Sequence, residues 1–264
     1  MKKVLSKDGT PIAFDQSGEG PPIILVVGAF NTNSTGAPLA AQLSKHFTVF
    51  NYDRRGRGAS GDTLPFAIER EIEDIDALIT YAGGSAFVFG HSSGGILALE
   101  AAQLLPARIT KLALYEPPFI IDNSRPPVPQ DCIQHLNELL AAGRRAEAVE
   151  YFMTTAILVP PEAVAQMRST PMWPQLVAVA HTIPYDCAVA GDTMNGDPST
   201  IRKYASVTVP TLVMVGGASP SFFHNGTQTL ANILPHAQHR TLAGQAHGPA
   251  DEVLVPVLIE FFKG

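Results

Sequence analysis

Gly90-His91-Ser92-Ser93-Gly94 sets a serine between two glycines, the G-x-S-x-G spacing of a hydroxyl held on a tight strand-to-helix turn. Such a turn brings backbone segments together and leaves no room for side chains beside the serine, which is why glycine is required. In a chain with 22 Gly the string alone is a weak signal. Its setting is specific, because the apolar run Ala86 to Phe89 enters it and an Ala- and Leu-rich run leaves it from Gly95. A serine hydroxyl is a poor nucleophile at neutral pH and needs a general base, usually a histidine steadied by a carboxylate. Of the 8 histidines, His247 fits best, in Ala243-Gly244-Gln245-Ala246-His247-Gly248 after the last expected strand. A glycine-flanked loop there can carry an imidazole over the sheet towards Ser92. His236 and His239 precede that strand and are expected at the opposite end of the sheet, while His91 reads as framework.

These residues need a sheet to position them. Short aliphatic runs bounded by Gly, Pro and Asp alternate with Ala- and Leu-rich stretches of helical spacing, a pattern that predicts a mostly parallel sheet covered by helices. Buried strands are expected at Ile23 to Val27, Phe47 to Tyr52, Ala86 to Phe89, Lys111 to Tyr115 and Thr211 to Val215. Pro11 to Phe14 reads as an antiparallel edge strand, and Arg240 to Leu242 as a short last one. Helices are expected from Glu69 to Tyr81, ended by Gly83-Gly84, and from Gly95 to Leu105, ended by Pro106. Pro117, Pro118, Pro126, Pro127 and Pro129 then mark a junction into residues 119–184, which carry helical candidates at Gln130 to Ala142, Arg144 to Ile157 and Pro161 to Met167. The organisation expected is a core of residues 1–118 and 185–264 interrupted by a helical cap at 119–184.

Composition narrows the partners. A chain of 264 residues with 45% hydrophobic and 16% charged residues is globular and large enough for a sizeable core. Its net charge of −6, without a basic stripe, argues against nucleic acid and anionic membranes. Cys132 and Cys187 lack metal-type spacing, so free thiols are expected, with no metal and no organic cofactor. Ser6, Lys7 and Asp8 interrupt the apolar stretch that a signal peptide needs, and the run Ile23 to Val27 is too short to span a bilayer. A cytoplasmic protein is expected, and the sequence leaves a homodimer open.

Together, the strand ending in Val27-Gly28-Ala29-Phe30, the loop Tyr52-Asp53-Arg54-Arg55-Gly56-Arg57-Gly58-Ala59-Ser60, the turn at Ser92, the helical insert and the late His247 resemble the α/β-hydrolase fold family, over nearly the whole chain. Cap-bearing esterases and lactonases of that family have a similar Arg-rich loop in a structural role. Asp53, Arg54 and Arg55 are accordingly expected to form an ion-pair network. Val27-Gly28 stands where the family often has His-Gly. The resemblance implies an oxyanion hole built from backbone N–H groups, those of Ser93 and of Ala29 or Phe30. The family commonly places its triad acid in the turn after the strand Thr211 to Val215. Here that turn reads Gly216-Gly217-Ala218-Ser219-Pro220, without a carboxylate. Glu116, at the end of the strand following the Ser92 helix, preserves the Ser, acid, His order and lies on the same carboxyl edge of the sheet. The alternatives are that Glu116 pairs only with Arg54 or Arg55, or that Ser219 serves as a neutral partner.

In the insert, Phe119, Phe152, Met153, Met172 and Trp173 are the expected pocket residues, since aromatic and sulfur-bearing side chains adapt to apolar ligands. No Arg or Lys cluster there points to a strongly anionic substrate. The resulting expectation is a serine hydrolase that cleaves a small hydrophobic ester or lactone through an acyl-enzyme on Ser92, with His247 as base and Glu116 as acid. The alternative is a low-turnover or non-hydrolytic small-molecule binding protein of the same fold.

Overall fold

Runs such as Ile23-Ile24-Leu25-Val26 have apolar groups on both faces and are stable as strands only where both faces are covered. The computed structural model describes residues 1–264 and places this run at the centre of an eight-stranded sheet. The strands are β1 (Lys2–Leu5), β2 (Pro11–Ser17), β3 (Pro22–Val26), β4 (Thr48–Tyr52), β5 (Ala86–His91), β6 (Ile109–Tyr115), β7 (Thr211–Gly216) and β8 (Ala237–Leu242), in the order β1-β2-β4-β3-β5-β6-β7-β8. β2 pairs antiparallel with β1 and β4, and all other pairings are parallel. β2 was expected at the edge; instead β1 lies outside it, a short strand carrying Lys2 and Lys3, which suits an exposed edge because charge discourages further pairing.

Helices cover both faces. On one, α1 (Asn33–Leu43) and α10 (Asp251–Lys263) pack with Leu25, Val49, Phe89 and Met214. On the other, α2 (Ile68–Tyr81) and α3 (Ser93–Leu104) bury Ile75, Leu78, Leu97 and Ala101 against Ile24, Val88 and Leu112.

Between β6 and β7 the chain has no strand. It forms α4 (Cys132–Ala141), α5 (Arg145–Tyr151) running into a π-helical turn at Phe152–Ala156, α6 (Pro161–Met167), α7 (Trp173–Ala178) and α8 (Ile183–Ala190). The first four helices share a hydrophobic cluster of their own around Leu136, Val149 and Leu176. Helix α8 bridges the two bodies, with Ile183 in that cluster and Val189 and Ala190 in the main core. After β7, α9 (Ser221–Ile233) leads into β8. No helix is long and apolar enough to cross a membrane.

Candidate active site

Strand order reverses beside β3, which has β4 on one side and β5 on the other, and ligands of open α/β sheets gather at the carboxyl ends of strands at such a point. At the end of β5 the chain reverses into α3 through Ser92, whose backbone lies at φ 56°, ψ −129°. A residue with a Cβ is strained there and holds the conformation only where its surroundings impose it. Close packing imposes it. A Cβ on Gly94 would overlap the Val26 and Val27 carbonyls, and one on Gly90 would meet Gly94 O at 2.6 Å. One on Gly28 would lie 2.9 Å from Ser92 Cβ, so a glycine there lets the loop after β3 approach the serine.

Three side chains from three strand ends converge. Ser92 Oγ lies 3.1 Å from His247 Nε2, and His247 Nδ1 lies 2.7 Å from Glu116 Oε2. With Glu116 ionised, Nδ1–H donates to the carboxylate and Nε2 is left to accept the hydroxyl proton. Glu116 is fully buried and ends β6 at φ 47°, a second strained position. Its Oε1 accepts the Gly216 N–H at 2.7 Å. The turn after β7, which lacks an acid, thus supplies a donor to the acid of the neighbouring strand. Burial pushes the Glu116 carboxyl up, but His247 and the Gly216 N–H outweigh it and hold the group below the usual carboxylate range. Ser219 Oγ is buried without a hydrogen-bond partner, so it does not serve as the neutral partner of His247. Neither Arg54 nor Arg55 contacts Glu116.

The loop bearing His247 is held by its backbone. Tyr115 Oη donates to Ala246 O at 2.6 Å, and His91 Nε2 donates to His247 O at 2.8 Å. Burial and the neighbouring His247 push His91 down to about 4, so it is a neutral donor at pH 7. A Cβ on Gly216 would sit 2.5 Å from Gln245 O, so only glycine lets this loop cross the end of β7. The Phe223 ring stacks on His247 at 4.7 Å. His239 lies within β8, longer than expected, and pairs with Thr227 Oγ1 at 3.1 Å.

Ala29, Phe30 and Ser93 border the same cavity as Ser92 and His247. The N–H groups of Ala29 and Phe30 donate to nothing in the protein, and Ser93 opens α3, where an N–H has no intrahelical acceptor. Phe30 sits at φ 63°. Arg57 donates to Gly28 O at 2.7 Å and so fixes the peptide plane that carries the Ala29 N–H.

The Arg-rich loop is an ion-pair network, with partners other than Asp53. Arg54 grips Glu71 with two bonds of 2.7 and 2.6 Å and reaches Asp186 on α8 at 2.7 Å. Arg55 grips Asp74 and also reaches Asp8 at 3.1 Å, while Arg57 meets Asp186 at 2.5 Å. Asp53 instead accepts the N–H groups of Asn33 and Ala59 and braces the loop from within.

A cavity of about 660 Å³ opens over Ser92 and His247. Of the five side chains expected to line it, Phe152 does, meeting Phe30 edge-on at 5.6 Å. The other four do not. Phe119 is buried in the main core against Tyr204, because Pro117-Pro118 turn the chain back onto the sheet. Met153 and Trp173 fill the insert's own cluster, and Met172 is 48% exposed. The cavity wall instead includes Phe222 and Phe223 from the start of α9, Arg125 from the Pro-rich segment, and Cys132 and Ile133 from α4. One signal for the two phenylalanines was present in the sequence: they follow the turn after β7, at the edge where Glu116 was expected.

Comparison with known proteins agrees with this architecture. The model of the alpha/beta hydrolase family matches residues 23–257, and the chain belongs to that family. A pimeloyl-(acyl-carrier protein) methyl ester esterase of Xanthomonas axonopodis pv. citri is 28% identical over 247 residues, covering 90% of this chain and 94% of the relative. Among solved structures, an alpha/beta hydrolase from Sphaerobacter thermophilus is 55% identical with a TM-score of 0.92, covering 99% of this chain and 100% of that one. The enol-lactonase from Burkholderia xenovorans shares the fold at a TM-score of 0.70 and 22% identity, covering both chains in full (100% each).

Proposed function

We propose that the protein is a serine hydrolase of carboxylic esters or lactones, working through an acyl-enzyme on Ser92. The observation that carries this reading is the aligned relay of Ser92 Oγ, His247 and Glu116, with spacings of 3.1 and 2.7 Å at the floor of a cavity of about 660 Å³. His247 Nε2 takes the Ser92 proton as Oγ attacks the acyl carbon, and Glu116 steadies the imidazolium. The oxyanion that forms is received by the N–H groups of Ser93 and of Ala29 or Phe30. His247 then returns the proton to the leaving oxygen. Water, deprotonated by the same nitrogen, attacks the acyl-enzyme and releases the acid and the free serine. Residues 119–184 act as a cap that closes the site from water, and the esterase named among the relatives supports an ester as the bond cleaved.

The test is hydrolysis of p-nitrophenyl acyl esters of increasing chain length, with Ser92→Ala, His247→Ala and Glu116→Ala beside the wild type. Ser92→Ala and His247→Ala are expected to abolish turnover. Wild-type protein inert towards every ester, and unlabelled at Ser92 by a fluorophosphonate, would overturn the reading in favour of a binding protein.

A further inference from the structure

Four arginines are buried, and three of them, Arg54, Arg55 and Arg57, face carboxylates. The fourth, Arg125, does not. Its exposure is 9%, and it stands in the wall of the cavity over Ser92. Its Nε donates to Pro126 O at 3.2 Å and its Nη2 to Ala156 O at 2.8 Å. Both acceptors are neutral carbonyls, no Asp or Glu lies within ion-pair distance, and the remaining N–H donors of the guanidinium have no partner in the protein. Asp186, the other buried charge in the cavity wall, is already committed to Arg54, Arg57 and Ser93. Burial alone pushes Arg125 down from the usual guanidinium range, with no opposing charge beside it. A buried cation without a counter-charge is unfavourable, and a ligand anion removes that cost.

The path from this cation to the relay is continuous. The Arg125 guanidinium lies 4.9 Å over the Phe222 ring, Phe222 packs on Phe223 at 4.0 Å, and Phe223 stacks on His247 at 4.7 Å. An apolar strip thus runs from the cation to the base, suited to the hydrocarbon part of a substrate anchored at both ends. We propose that Arg125 receives a carboxylate of the substrate, so that the enzyme acts on esters or lactones bearing a free carboxylate remote from the scissile bond. This rests on the hydrolase reading above. A carboxylate fits better than a phosphate, since one guanidinium balances a monoanion and would leave part of a dianion's charge uncompensated in a largely apolar cavity.

The test compares pairs of equal length. On the acyl side, mono-p-nitrophenyl glutarate, adipate and pimelate are set against p-nitrophenyl pentanoate, hexanoate and heptanoate; on the alcohol side, 6-acetoxyhexanoate is set against hexyl acetate. We expect kcat/KM to favour the carboxylated member of at least one pair by about 10- to 100-fold, mainly through KM, as for a charge-assisted hydrogen bond. Arg125→Gln should bring that ratio near one, and Arg125→Lys should keep part of it. Loss of a purely structural Arg125 would lower both members together and leave the ratio intact. A wild-type ratio near one in every pair, or a ratio that survives Arg125→Gln, overturns the proposal while leaving the hydrolase reading standing. Where no ester is turned over, calorimetric titration of Ser92→Ala with monomethyl adipate decides separately: Arg125-dependent binding supports the anion site, and no binding refutes it.

Discussion

Glu116 stands just past β6 rather than in the turn after β7, and its geometry lets a carboxylate reach His247 from there. Its strained backbone turns Oε2 towards His247 while Oε1 is tied to Gly216. Glu116→Gln keeps the shape but leaves the imidazole without a charged partner, so kcat for ester hydrolysis is expected to fall about 10²- to 10⁴-fold, as for a unit of interdependent groups. Equal kcat in wild type and variant would move the acid elsewhere. His91 makes a separate prediction. Its pKa falls from 6.5 to about 4 on folding, so the unfolded chain takes up a proton first as pH drops. The stability His91 contributes is complete above about pH 6.5 and is lost towards pH 4. In urea unfolding, wild type should lose about 2–3 kcal/mol more between pH 7 and 4.5 than His91→Gln, which keeps a donor but cannot titrate. Identical pH slopes would refute this. The meeting of Ser92, His247 and Glu116 was legible in the sequence because strand ends fix where their side chains go. The pocket was not, because spacing along a helix shows that Met153 and Trp173 are apolar but not whether they face a cavity or a neighbouring helix.

The elements around the site are held by close approach and by charge. Gly94 packs against the carbonyls that end β3, and backbone cannot yield as a flexible side chain can. Gly94→Ala is therefore expected to lower the melting temperature by several degrees, in line with the 1–3 kcal/mol typical of overpacking. Gly248→Ala, whose added methyl meets nothing within 4 Å, should leave the melting temperature in place. Matching melting curves for the two variants would contradict the crowding at Gly94. Charge ties α8 down, where Asp186 accepts from Arg54 at 2.7 Å and Arg57 at 2.5 Å, all three almost fully buried. Asp186→Asn leaves buried guanidinium charge uncompensated and should cost about 3–5 kcal/mol in urea unfolding. A loss below 1 kcal/mol would show that α8 is held by packing alone. The structural role of the Arg-rich loop was implied by the family resemblance, but its partners were not legible. Asp186 lies 132 positions from Arg54, and no local pattern encodes such a pairing.

At the scale of the molecule, two hydrophobic clusters sandwich the sheet and a third fills the insert. The sandwich was legible because strands such as Ile23-Ile24-Leu25-Val26 are apolar on both faces and demand cover on both. The attachment of the insert was not, since it depends on contacts between residues far apart in the chain, such as Phe30 with Phe152 and Arg54 with Asp186. Side chains of α4 to α7 bury themselves mainly against one another, and α8 joins their cluster to the core through Val189, Ala190 and the Asp186 ion pairs. A body with its own cluster opens more readily than the central sheet strands. In native-state hydrogen exchange, amides of α4, α5 and α7 should therefore exchange through an opening of lower free energy than those of β3, β5 and β6, which need global unfolding. Asp186→Asn should widen the gap, lowering protection across residues 132–190 more than in the sheet. Protection equal in both bodies and reduced equally by the variant would mean that insert and sheet unfold as one unit, leaving no independent motion of the helices over Ser92.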